Sequence, residues 1–163
     1  MRIREKKHRL DREFYQGRVV VTFTALVKHR QPVLCEMNTF KAMIDSLEKG
    51  VQDNLCKCIY TFIPDHTHIV MFGDSDQADT YKAMVDFKQQ SGYWFSQNRP
   101  SVRWQKDFYD HIHRSNEDLN NQILYVLNNP VRRGVVKYWW EYSYSGSTGF
   151  DWDKIVERFR YNE

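Results

Sequence analysis

No stretch of this 163-residue sequence approaches the roughly 18–20 consecutive apolar residues that a membrane-spanning helix needs. The amino end carries charges where a secretory leader would have an apolar run, so the expectation is a cytoplasmic protein with no membrane partner. Cysteine is scarce. Cys35, Cys56 and Cys58 make an odd count, and Cys56 and Cys58 are one residue apart rather than the two usual in metal knuckles and redox pairs. Buried thiols are the reading they favour. Charge of one sign is also modest, at a formal +3, so bulk electrostatics alone does not mark a nucleic-acid binder. There is no internal repeat. What the chain does have is 41% hydrophobic and 15% aromatic residues, enough to fill one core at this length, and a single domain over residues 1–163 is expected.

The positive charge is unevenly placed. Residues 1–15 form a basic arm carrying Arg2, Arg4, Lys6, Lys7, Arg9 and Arg12, suited to displacing counterions from a phosphate backbone or simply to lying solvated. A second cluster, Arg132 and Arg133, follows Asn129-Pro130-Val131 and precedes Gly134.

Residues 18–28 are dense in β-branched side chains and predict a strand. Asn38 can cap a helix over residues 39–53, whose Phe40, Met43, Ile44, Leu47 and Val51 recur at helical spacing. Residues 55–63 alternate between two faces, Pro64-Asp65 is a turn signal, and residues 66–72 resume as a strand, so a hairpin is expected. A second helix over residues 79–97 follows, then an aromatic-rich strand or loop over residues 103–113. Ser115 has the form of a cap for a third helix ending at Pro130, and residues 151–163 should hold a short final helix. This order predicts an α+β fold, a ferredoxin-like antiparallel sheet with helices packed on one face.

His66 and His68 flank Thr67 on the predicted strand, and side chains two apart share a face, so both imidazoles can reach one ion; a structural pair is the other reading. On the third helix Leu119, Ile123, Val126 and Leu127 make the apolar stripe, at about 100° per residue. Tyr125 lies off it. Asn121, Tyr125 and Asn129 instead recur at spacing four as a polar ridge, which leaves Tyr125 as a surface residue, a secondary packing contact or a functional hydroxyl. Asn129 can offer an amide oxygen to a cation, and oxygen mixed with imidazole suits Mg²⁺ or Mn²⁺.

Three segments carry a resemblance: Pro64-Asp65-His66-Thr67-His68-Ile69-Val70, then Trp104-Gln105-Lys106-Asp107-Phe108-Tyr109-Asp110-His111-Ile112, then Tyr125-Val126-Leu127-Asn128-Asn129-Pro130-Val131-Arg132-Arg133-Gly134-Val135-Val136. Together they resemble the HUH single-tyrosine transposases, and within them the REP-associated tyrosine transposases. The likeness runs from about Arg9 to Phe150, and its last segment is the most specific. One position departs from the pattern: the residue between the histidines is usually a bulky hydrophobe and here is Thr67, expected to face away from the metal.

The resemblance implies that Tyr125 is the nucleophile and that His66, His68 and Asn129 hold Mg²⁺ or Mn²⁺. It further implies single-stranded DNA cleavage and rejoining through a covalent 5′-phosphotyrosine, next to a DNA hairpin. Arg132 and Arg133 would contact DNA with the basic arm, Tyr109, Trp104 and Trp94 could stack bases, and Asp110 and His111 would support the site from behind. The insertion-sequence branch of the superfamily acts as dimers and the REP-associated branch is expected to be monomeric, leaving monomer or homodimer open. Two other functions fit the same residues: a catalytically silent module that binds hairpin DNA or RNA, and a metal-dependent hydrolase using bound water, for which Tyr125 would be dispensable.

Overall fold

The structure, a computed structural model, describes residues 9–114 and 118–161. The β-branched run forms strand β1, Val20–Leu26. Helix α1, Met37–Asp53, leads into strands β2, Cys56–Ile63, and β3, His66–Gly73, joined by the two-residue turn at Pro64-Asp65. Helix α2, Thr80–Asn98, and the short strand β4, Tyr109–Ile112, follow. Helix α3, Leu119–Leu127, breaks into a single turn α4, Asn129–Arg132. Strand β5, Ser145–Thr148, and helix α5, Trp152–Arg160, close the chain.

The sheet order is β4-β1-β3-β2-β5, and all four pairings are antiparallel. Without β5 the order is that of a ferredoxin-like βαββαβ sheet. The added strand was not expected: Ser-Gly-Ser-Thr has little β propensity, and it is extended because β2 offers it a pairing edge.

Helices cover both faces of the sheet, not one. Phe23, Ala25, Cys58, Phe62, Ile69 and Met71 point toward α1 and α2, where they meet Met43, Leu47, Met84 and Phe87. The alternate positions Ile59 and Val70 point the other way, against Ile123, Val126 and Leu127 of α3, Phe159 of α5 and the fully buried Trp139. The thiols of Cys56 and Cys58 are buried and pushed up to about 12 by that burial, and Cys35 is raised for the same reason.

Helix boundaries differ from expectation at three ends, belonging to α1 and α3. Glu36, not Asn38, precedes the first turn of α1, without a side-chain hydrogen bond. Asp118 caps α3, its carboxylate accepting from the backbone N–H of Asn121 at 3.2 Å, while Ser115 lies outside the described residues. The third helix stops at Leu127, and Pro130 falls in the first turn of α4, where its missing N–H costs nothing. Among the described residues no helix is long and apolar enough to cross a membrane.

Candidate active site

The two histidines sit at the start of β3 on the α3 side of the sheet. His66 is buried, and its ring meets that of His68 edge-on, with centroids 4.9 Å apart. Thr67 points to the opposite face, fully buried, its hydroxyl donating to the Thr61 carbonyl at 3.1 Å. The substitution therefore removes no atom from the histidine side.

Each imidazole is fixed through its Nδ1. That of His66 lies 2.7 Å from the Asp65 carboxylate and that of His68 2.9 Å from the Thr24 hydroxyl, which β1 presents across the ladder. The Asp65 carboxylate holds His66 in the Nδ1–H form, and the Thr24 hydroxyl can accept the same proton from His68, which leaves Nε2 of each ring to carry the lone pair. Asp65 is itself anchored, since Arg30 Nε donates to its other oxygen at 2.8 Å. Burial works to raise Asp65, but the bonds from His66 and Arg30 outweigh it and hold the carboxyl below its usual range. Burial depresses His66 and takes His68 down to about 3, with His66, Arg132 and Arg133 adding to the effect on His68. Neutral rings are what a metal ligand requires.

Asn129 completes the cluster. The break after Leu127 turns it away from the exposed ridge of α3, so it is 8% exposed whereas Tyr125 is 62% exposed. The expected ridge through Asn121, Tyr125 and Asn129 is thus severed before its last member. Asn129 Nδ2 donates to His68 Nε2 at 2.9 Å, and Asn129 Oδ1 accepts from Arg133 Nε at 2.9 Å. Among the described residues no three of His, Cys, Asp and Glu cluster as a metal site, and the Asn129 amide is a further donor group in contact with the pair. Two Nε2 lone pairs and an adjacent buried amide do fit a hard-to-borderline divalent cation, provided the amide presents its oxygen.

Tyr125 projects from α3 with the Arg132 guanidinium 3.9 Å over its ring. Arg132 and Arg133 leave the helix exit on different errands, one to the tyrosine and one to the asparagine.

Other expected site residues are placed elsewhere. Asp110 pairs with Phe23 and points to the α2 side, where it is buried and accepts from Tyr15 and from Arg9, so it cannot support the histidines. His111 does share their face, but on β4, two strands away, with its ring against His113. Arg9 is not a free arm residue: it pairs with Asp110 and lies 4.3 Å over Phe108. Arg2, Arg4, Lys6 and Lys7 lie outside the described residues. Trp104 is core, its indole donating to Ser91 at 2.8 Å, which removes it as a base-stacking surface. Sequence reasoning missed Asp65, Arg30 and Thr24. Asp65 stands in the sequence as a turn residue and within the first matching segment, with no role of its own, although a carboxylate beside a ligand-type histidine is a signal in itself.

No family model matches the chain. It is 29% identical over 96 residues to a Haemophilus influenzae protein provisionally named REP-associated tyrosine transposase, a match covering 51% of this chain and 53% of that protein. The chain thus spans about half the length of the curated relative it matches. Among solved structures it superimposes on a REP-associated tyrosine transposase bound to a REP hairpin with a TM-score of 0.71. That match has 20% identity and covers 86% of this chain and 81% of the other. The chain resembles the REP-associated tyrosine transposases. A Deinococcus radiodurans structure provisionally named a transposase also matches, at 20% identity over 76% of this chain and 96% of the other, with a TM-score of 0.49. The likeness to the hairpin-bound REP-associated transposase confirms the α+β, ferredoxin-like architecture.

Proposed function

We propose that this chain cleaves and rejoins single-stranded DNA beside a hairpin, with Tyr125 as the nucleophile and His66, His68 and Asn129 as the ligands of a divalent cation, Mg²⁺ or Mn²⁺. The observation that carries the reading is the joint placement by one broken helix of an exposed tyrosine and of a buried amide in contact with a lone-pair-bearing histidine.

Tyr125 Oη attacks phosphorus in line with the 3′ oxygen. A P–Oη bond forms as the P–O3′ bond breaks; the phenol proton passes to solvent water, and the 3′ oxygen takes a proton from water and leaves as a hydroxyl. The bound cation would supply charge to a non-bridging phosphate oxygen. Arg132, already on the tyrosine ring, brings positive charge to where that phosphate arrives, and Arg133 offers a second fork for the backbone. The phosphotyrosine keeps an ester bond, so a second 3′ hydroxyl can displace Tyr125 and join new ends without a nucleotide triphosphate. Single-stranded substrate suits an exposed tyrosine, since its phosphate can turn into line, and the hairpin would set register.

Incubation of the full chain with labelled single-stranded hairpin oligonucleotides and Mn²⁺, followed by a denaturing gel, tests this. Wild type should form a protein–DNA adduct and Tyr125→Phe should form none while still binding the oligonucleotide. Binding without any adduct, across a broad hairpin panel, would instead indicate a silent binding module. Free cleavage by Tyr125→Phe would indicate a water-using hydrolase.

A further inference from the structure

We infer that Arg133 is a positioning residue for the cation site: by holding Asn129 Oδ1 it keeps that oxygen turned away from the histidine pair until a DNA phosphate draws the guanidinium off. This rests on the reading of His66, His68 and Asn129 as cation ligands. A guanidinium has only donors, so the Asn129 atom facing Arg133 Nε at 2.9 Å must be the oxygen. The amide nitrogen is then forced toward His68 Nε2, also at 2.9 Å, where its N–H occupies the lone pair that a cation would need. With Nε2 accepting from Asn129, the ring proton sits on Nδ1 and donates to the Thr24 hydroxyl, so the chain Arg133–Asn129–His68–Thr24 has one hydrogen-bond polarity from end to end.

An amide nitrogen does not ligate a hard cation and its oxygen does. Presenting the oxygen means rotating the amide half a turn, and the rotated amide would set N–H against Arg133. The bond to Arg133 must therefore break first. Asn129 is buried, so water cannot readily replace the lost partner, whereas Arg133 is exposed and free to follow a phosphate, its preferred bidentate partner. Phosphate binding and cation binding are linked through one side chain, and the linkage is reciprocal. Arg132 carries the same charge but lies on Tyr125, and among the described residues it makes no hydrogen bond to Asn129.

The test is Mn²⁺ titration of the full chain without DNA, read from the electron paramagnetic resonance signal of free Mn²⁺. Arg133→Ala should bind Mn²⁺ about tenfold tighter than wild type, an effect of ~1.4 kcal/mol. Arg132→Ala, which removes an equal charge, should gain clearly less, and the gain should vanish when Arg133→Ala is made in an Asn129→Ala background. A hairpin oligonucleotide, at concentrations where fluorescence anisotropy shows it bound, should bring wild type toward the affinity of Arg133→Ala. Equal gains from the two arginine variants, a gain that survives in Asn129→Ala, or no change in Arg133→Ala would overturn the inference and leave the cation site standing. Absence of Mn²⁺ binding in every variant would overturn the cation site and the inference with it.

Discussion

His66 presents Nε2 because Asp65 takes its Nδ1, and Asp65 stays in place because Arg30 holds its second oxygen. The segment that delivers Arg30 is itself costly: His29 and Arg30 both adopt positive φ, at 61° and 55°, a region non-glycine residues occupy at about 1–3 kcal/mol each. Strain of that size beside a histidine pair is expected where geometry has to be imposed. Asp65→Asn keeps the shape and an acceptor oxygen but discards the charge that both His66 and Arg30 use. It should weaken Mn²⁺ binding by roughly tenfold, in the range typical of residues that orient a ligating histidine, while leaving the thermal midpoint close to wild type. Isothermal titration beside a melting curve separates the two effects, and an unchanged Mn²⁺ affinity would reduce Asp65 to a turn residue. The histidine pair was legible in the sequence because a two-residue period on a strand is robust. Arg30 was not, since the contact spans 35 positions and depends on a backbone conformation that arginine gives no sign of adopting.

At the scale of elements, α3 shows where periodicity succeeds and where it stops. Its buried residues Ile123, Val126 and Leu127 are the stripe that spacing predicts, and Tyr125 falls outside it. Extending the same spacing to Asn129 fails because Pro130 contributes no N–H to the ladder and its ring crowds the carbonyl four residues back. The chain restarts as α4, and the asparagine is rotated inward. The α1–α2 pair, in contrast, depends on a residue that periodicity ignores. At Gly50 a Cβ would lie 2.9 Å from the Ala83 carbonyl oxygen and 3.4 Å from the Phe87 nitrogen, so the two helices approach through a missing side chain. Gly50→Ala would gain up to about 1 kcal/mol of helix propensity. It would also push two packed backbones apart, an overpacking cost of about 1–3 kcal/mol. Because the obstructing atoms are backbone and cannot turn aside, the cost should win. Urea unfolding should show a lower midpoint with an unchanged slope; a higher midpoint would show that α1 can move off α2 freely.

At the scale of the whole molecule, the expectation of helices on one face erred for a physical reason. Strand β2 reads as alternating, yet both of its faces are apolar, and a strand buried twice looks much like a strand buried once when Tyr60 and Thr61 interrupt the run. The consequence is a molecule in three layers: α1 and α2, the sheet, and a thinner layer of α3, α4 and α5. The candidate site spans the junction between sheet and thin layer, with His66 and His68 on β3 and Asn129 on α4. Among the described residues, a direct hydrogen bond from Asn129 to His68 crosses that junction at the site. The thin layer, built on two nine-residue helices and a single turn, should open locally at lower free energy than β1, β2 and β3. Mn²⁺ bound to both sides would join the layers, and its binding free energy would be added to the closed state, about 2.7 kcal/mol at a hundredfold excess over the dissociation constant. Hydrogen exchange followed by mass spectrometry should therefore show α3 and α4 amides slowed by Mn²⁺, α1 and α2 amides unaffected where they exchange by local opening, and the slowing reversed by a chelator. The same protection should be absent from His68→Ala and Asn129→Ala. Protection confined to β3 would mean that the histidines bind the ion alone, and that Asn129 serves the layer interface and not the metal.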